Sequence, residues 1–368
     1  MQYEILQEGL VTRREPGTPT ATACGSRAVI DVHGELVCSY MVQSALGVND
    51  FKPMISRSSD GGATWREQGL IWPHLQHTYS IFGSVSQAPD RTLFFFGSRT
   101  PIDEPGEAFW CESTHGLKPN ELVWAKTVDD GATWSEPKVV PMLIPGSAEV
   151  PGPLCITRKD RWVCCYSPYN TFDPKVMVER NQVVCLSSRD HGKTWVHTAM
   201  LRFPDRNSVA AEAWVIELAD GRLLGAAWHS NETLGANQPN AYALSQDGGL
   251  TWSLTASTGI LGQSSALAAL PDGRAIFVYN QRQNGEVGVW LAVVRPTETD
   301  FGVEANAIIW HAHTATQNGT SRDFKDWTDF SFGEPSITVL PDGTLLATLW
   351  YVQDGTAAIR YVKLRMRA

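Results

Sequence analysis

The chain has 368 residues, of which 43% are hydrophobic and 19% charged, a balance that excludes a disordered chain and fits a globular one. Lys and Arg total 30 against 39 Asp and Glu, and the formal charge of -9 argues against nucleic acid or an anionic membrane as the main partner. No apolar run is long enough to cross a bilayer.

Residues 1–8 carry neither a basic n-region nor an apolar h-region, so a cytoplasmic location is expected, a mature secreted form remaining compatible. The seven cysteines are an odd number without a CxxC pair, and most lie in apolar runs such as residues 162–166. They read as buried reduced thiols.

In chain order, Tyr3-Glu4-Ile5-Leu6 reads as a strand, and the first hairpin of two apolar runs turns at His33-Gly34. Further hairpins turn at Asp90-Arg91, Asp160-Arg161, Asp220-Gly221, Asp272-Gly273 and Asp342-Gly343. Between them recurs a second motif: Asp60-Gly61-Gly62-Ala63-Thr64-Trp65, Asp129-Asp130-Gly131-Ala132-Thr133-Trp134, Asp190-His191-Gly192-Lys193-Thr194-Trp195 and Asp247-Gly248-Gly249-Leu250-Thr251-Trp252. Asp and Gly are turn formers and Thr-Trp suits the strand that follows, so each copy predicts a hairpin corner over a buried Trp.

Taking Gly34, Arg91, Arg161, Gly221, Gly273 and Gly343 as reference points gives spacings of roughly 50 to 70 residues, the size of a four-stranded unit. The expected fold class is all-β, a six-bladed β-propeller occupying residues 1–368 as one domain. In each blade the apolar hairpin supplies the two inner strands, and the Asp-Gly corner joins the outer two. Residues 358–364 read as a penultimate strand, and the N-terminal strand is expected to complete the last blade and hide its edge.

The corner motifs resemble the Asp-box repeats of the sialidase superfamily, whose members are six-bladed propellers. The resemblance covers nearly the whole chain. It implies that the boxes are structural and that the active site lies on the opposite face, around the axis.

Aligning the blades on their first turn makes that face countable. Nine residues before the reference stand Gly25, Phe82, Gly152, Glu212, Ser264 and Glu334, with Glu149 nearby. Eight residues after it stand Val42, Arg99, Tyr169, His229, Gln281 and Tyr351, with Arg282 adjacent. Glu212 and Glu334 are candidate catalytic carboxylates, the usual equipment of a glycosidase, and His229 a further candidate. Arg99, Tyr169, Gln281, Arg282, Tyr351 and Glu149 are candidate substrate binders.

Glu212 resembles the family's acid that opens an inner strand. The family's hallmark residues are otherwise missing in register: Ala23-Cys24-Gly25-Ser26 replaces the first binding arginine, with Arg13, Arg14 and Arg27 displaced, Trp228-His229 replaces the second, and Gly333-Glu334-Pro335-Ser336 replaces the tyrosine nucleophile. An arginine triad clamps an anomeric carboxylate, so its loss implies a sugar without one. A sialidase-like glycoside hydrolase acting on a carbohydrate is therefore expected, with a uronate lyase or a noncatalytic glycan-binding propeller as alternatives.

Residues 100–120 and 167–181 leave inner strands as long loops and are candidate substrate walls, as are residues 314–332 with Arg322, Lys325 and Trp327. No phosphate-cradling glycine loop or Gly-x-Ser-x-Gly elbow occurs. His311-Ala312-His313 lacks a third ligand at fixed spacing, so no metal or cofactor is expected.

Overall fold

The computed structural model describes residues 3–150, 152–312 and 332–367, and the expectations for His313 and for residues 314–331 lie outside them. Six antiparallel sheets stand around one axis. Counted outward from the axis, blade one comprises Thr22–Ile30, Leu36–Gln43, Lys52–Ser58 and Arg66–Leu70, and blade two Tyr79–Gln87, Leu93–Pro101, Glu121–Lys126 and Lys138–Val140. Blade three opens with a broken strand, Ser147–Glu149 and Cys155–Ile156, and continues through Trp162–Tyr169, Gln182–Ser188 and Val196–Arg202.

Blade four comprises Ser208–Glu217, Leu223–Asn231, Ala236–Ser245 and Ala256–Ser257, and blade five Ser265–Ala269, Ala275–Gln281, Gly288–Val294 and Val303–His311. Blade six takes Phe332–Val339, Leu345–Gln353 and Thr356–Met366 from the C-terminal end and Tyr3–Arg13 from the other. The register of that closing pair runs from Tyr3 opposite Met366 to Arg13 opposite Ala358. The ring is thus sewn shut by the N-terminal strand. Among the described residues the single helical element is the 3-10 turn Pro73–Leu75.

The core lies between the blades, because each sheet has two faces and a neighbour on both sides. Phe96, Trp124, Trp162 and Tyr166 fill the gap between blades two and three, and Val278, Leu291, Leu345 and Leu349 that between five and six. Five cysteines are buried within this packing while Cys111 and Cys155 are half-buried, and all seven are free thiols.

The four Asp-Gly corners join third and fourth strands and share one bonding pattern. In the first, Asp60 accepts from the Thr64 amide at 2.9 Å and the Thr64 hydroxyl at 2.6 Å, while Ser58 donates to Asp60 and accepts from the Gly62 amide. Asp129, Asp190 and Asp247 repeat it with Thr133, Thr194 and Thr251. The second left-handed residue of every corner is glycine: Gly62, Gly131, Gly192 and Gly249. The four Trp residues are half-buried rather than fully buried. Blade six has no such corner because its fourth strand comes from the other end of the chain.

Candidate functional site

Three blades open their innermost strand with the same irregularity. In blade one Gly25-Ser26 stands opposite the single residue Tyr40, in blade four Glu212-Ala213 opposite Ala227, and in blade six Glu334-Pro335 opposite Leu349, as read from the register shifts. Each is a β-bulge, which bends the strand and re-aims a side chain. Its first residue is left-handed in all three: φ is 58° at Gly25, 50° at Glu212 and 41° at Glu334. For a glutamate that conformation costs roughly 1 to 2 kcal/mol. The two glutamates persist there because neighbouring blades hold them.

The holding contacts run around the axis. Glu149 in blade three accepts the backbone N–H of Glu212 in blade four at 2.8 Å. Glu334 in blade six accepts the backbone N–H of Gly25 in blade one at 2.8 Å. A carboxylate of one blade thereby fixes the bulge of the next.

The electrostatics follow from burial and from one cation. Burial raises the carboxyl pKa values of Glu149, Glu212 and Glu334. The hydroxyl of Ser264 and the guanidinium of Arg282 pull Glu212 back down, whereas the charge on Glu212 pushes Glu334 and Glu149 further up. Glu334 reaches about 8. Arg282 is 4% exposed, and burial lowers its own pKa to about 10 against the opposing pull of Glu212 and Glu334. All three carboxyl groups are thus pushed toward their neutral forms by burial, and Glu212 is the one that a cation and a hydroxyl hold back.

These groups line two adjoining chambers. The first, of about 240 Å³, is lined by Glu149, Glu212, Glu334 and Arg282 together with Trp228 and Trp350. The second, of about 370 Å³, shares Glu149, Glu212 and Trp228 and extends to Trp110, Tyr169 and Arg180. The loop of residues 102–120 supplies walls to both, through Phe109 and Lys118 in the first and Trp110 and His115 in the second. It is braced by Lys118, whose Nζ meets Asp103 at 2.7 Å and Glu107 at 2.5 Å. Residues 167–181 contribute Tyr169 and Arg180 to the second chamber.

Of the residues placed on the rim by counting eight from the turn, the structure brings only Tyr169 to a chamber wall, with Arg282 from the next position. Arg99 stacks over Tyr79 at 4.7 Å and pairs with Glu121 at 2.8 Å. His229 stacks on Phe203 at 3.9 Å and shares a hydrogen bond with Ser208. Gln281 donates to the carbonyl of Leu261, and Tyr351 packs near Trp310. The reason is strand alternation, by which a one-residue offset sends every side chain to the other face.

Offsets of seven and nine face the axis instead, giving Gln43, Ser98, Thr100, Trp228, Trp350 and Arg282. Tyr169 lines the second chamber because the left-handed turn residue of blade three is Asp160, with φ 56°, and not Arg161. Counted from Asp160, Tyr169 is ninth. Trp228 and Trp350 were legible by that count and were missed by one position.

Residues 103–347 match the BNR repeat-like domain family. The chain belongs to that family. Its six-bladed fold is shared with solved structures of low sequence identity. A protein of unknown function from Dyadobacter fermentans is 18% identical over 99% of both chains, with a TM-score of 0.76. The NanB sialidase from Streptococcus pneumoniae is 14% identical over 97% of this chain and 70% of its own, with a TM-score of 0.64. The Penicillium chrysogenum α-L-arabinanase complexed with arabinobiose is 15% identical over 98% of both chains, with a TM-score of 0.63. No curated protein sequence matches. For this member of the BNR repeat-like family the neighbours establish the sialidase-like propeller, a scaffold on which glycoside hydrolases are built.

Proposed function

We propose that the protein is a glycoside hydrolase that releases a terminal sugar lacking an anomeric carboxylate, with Glu334 as general acid and Glu212 as nucleophile or base. The observation that carries this reading is the unequal environment of two buried carboxyl groups lining one chamber: Glu334 is raised to about 8 by burial and by the charge on Glu212, while Ser264 and Arg282 hold Glu212 down against its burial, which suits it to be the ionised member. A protonated and an ionised carboxyl flanking one bond is what glycoside cleavage requires. Glu334 would give its proton to the departing oxygen as the glycosidic bond breaks. Glu212 would attack the anomeric carbon or take a proton from the attacking water.

Binding would come from Trp228 and Trp350, whose flat faces suit the C–H face of a sugar ring, and from polar groups such as Asn49 and Lys118 in the same chamber. Among the described residues Arg282 is the one guanidinium lining the first chamber, and it is engaged with Glu212 and Glu334, so no arginine triad stands in that chamber to clamp a substrate carboxylate. That the same scaffold carries an arabinanase with bound arabinobiose, a sugar without a carboxylate, is consistent with this choice. An eliminative mechanism with His229 as base is disfavoured because its ring lies against Phe203.

The test is hydrolysis of a panel of aryl glycosides and neutral oligosaccharides by wild type, Glu212→Gln and Glu334→Gln. Each substitution is expected to lower kcat by roughly a hundredfold or more. Wild-type activity should fall as pH rises through about 8, where Glu334 loses its proton. Undiminished turnover in both variants would refute the assignment, as would release of sialic acid at ordinary enzymatic rates. Glycan binding without any sugar release would identify a noncatalytic module.

A further inference from the structure

The two chambers meet at Glu212. That residue lines both of them together with Glu149, Leu117 and Trp228, whereas Glu334, Arg282 and Trp350 line the first alone. A cavity of roughly 150 Å³ takes one benzene ring. At about 240 Å³ the first chamber has room for one hydroxyl-bearing ring, and at about 370 Å³ the second has room for another.

The walls of the second chamber are braced from several blades. One wall is the short hairpin of Trp110–Cys111 and Gly116–Leu117, in which Trp110 stands opposite Leu117. Blade three holds that hairpin: the Leu117 amide donates to the Asn170 carbonyl at 3.0 Å, and the buried Asn170 side chain donates to the Thr114 carbonyl at 2.8 Å. The Ser147 hydroxyl donates to the Leu117 carbonyl at 3.1 Å. Trp110 is thereby set edge-on to Tyr169, with ring centres 6.1 Å apart. Trp228 is fixed by a chain of its own, its Nε1 donating to Asn237 at 2.8 Å and Asn237 donating in turn to Gln283 at 2.7 Å. Arg180, paired with Glu232 at 2.6 Å, adds charged groups to the same chamber.

Flat aromatic faces interleaved with fixed amide and charged groups suit a sugar ring, which is apolar on its C–H face and polar around its rim. On the reading that Glu212 and Glu334 cleave a glycosidic bond, we propose that the second chamber is a sugar subsite and that the substrate is a chain of at least two linked sugar units lying across Glu212. Both carboxyl groups line the first chamber, which places the reacting unit there. The shared wall at Glu212 and Trp228 places the neighbouring unit in the second.

The experiment measures hydrolysis by wild type, Trp110→Ala and Ala236→Phe of two kinds of substrate. One is a panel of neutral disaccharides and trisaccharides, and the other is the glycosyl fluorides of their terminal sugars, which carry a single ring. Ala236 is an exposed residue of the second chamber's wall, so a phenyl group there obstructs the space without removing a contact. Each variant is expected to lower kcat/KM on the chains about fivefold or more, mainly through KM, and to change hydrolysis of the fluorides less than about twofold. Hydrolysis of the fluorides alone, equal losses on both kinds of substrate, or no loss on the chains from either variant would overturn the subsite while leaving the hydrolase in place. Should Trp110→Ala fail to fold, Ala236→Phe decides. Turnover of neither kind of substrate would mean that the hydrolase reading has failed, and the subsite is then judged on a glycan array. Retention of chains but not of single sugars by wild type, lost in Ala236→Phe, supports it there, and any other pattern overturns it.

Discussion

At the scale of single residues, Glu334 is where stability and the proposed chemistry pull apart. Its folded pKa of about 8 lies above the ordinary 4.5, so the native state binds the more protons between these values. Stability therefore declines as pH rises from about 4.5 to about 8, which is the opposite sign to a salt-bridged carboxylate. Gln cannot ionise, yet its carbonyl oxygen can still accept the Gly25 amide. Glu334→Gln is thus expected to melt at or above the wild-type temperature at pH 8 to 9, with little difference near pH 4, while losing turnover. Calorimetry across that range checks it, and a variant markedly less stable than wild type at pH 9 would mean that Glu334 is ionised and structurally paired. Such a cost in stability is common where side chains are held for reaction rather than for folding.

At the scale of elements, the bulge is the device that brings the site together. It puts Gly25, Glu212 and Glu334 in left-handed backbone, and the carboxyl groups of Glu149 and Glu334 bond two of those turns. Gly25 tests this: a Cβ there would lie 3.1 Å from Cζ of Phe82 and would carry the left-handed penalty as well. Gly25→Ala is expected to lose roughly 1 to 3 kcal/mol by denaturant unfolding, and an unchanged midpoint would show that the bulge relaxes freely. The glutamates were legible in the sequence because each opens an apolar run at a fixed distance from an Asp-Gly turn. The bulges were not, since residues such as Glu212-Ala213 carry no turn signal and owe their conformation to contacts from another blade. The second-strand residues failed for a different reason. A period of two tolerates no error of one, so Arg99, His229, Gln281 and Tyr351 were placed inward where Ser98, Trp228 and Trp350 stand. The boxes suffered neither problem, because Asp60 and its counterparts are satisfied by residues within four positions.

For the whole molecule the decisive feature is closure. Each blade buries both faces against neighbours, so a ring of six has no free face, and its weak point is where the two ends of the chain meet. There Tyr3–Arg13 runs beside Thr356–Met366, with Arg360 paired to Glu8 at 2.8 Å and the Arg14 amide bonded to the Ala357 carbonyl at 2.8 Å. Tyr3 reaches across to the backbone of Ile308 in blade five, and Val11 is buried in the core between blades six and one. Deleting residues 1–13 would strip a full strand from blade six and expose the edge of Thr356–Met366, an unpaired ladder of the kind that pairs with other chains. At a net 0.5 to 1 kcal/mol for each ladder bond, the loss is on the order of 5 kcal/mol, a large part of what a folded protein commands. The truncated chain is therefore expected to melt well below the full chain and to associate with rising concentration in sedimentation experiments. A synthetic peptide of residues 1–13 should restore both properties by refilling the edge. If the truncated chain stays monomeric with an unchanged melting temperature, the ring is held by its inner strands alone and the terminal strand is only a cover.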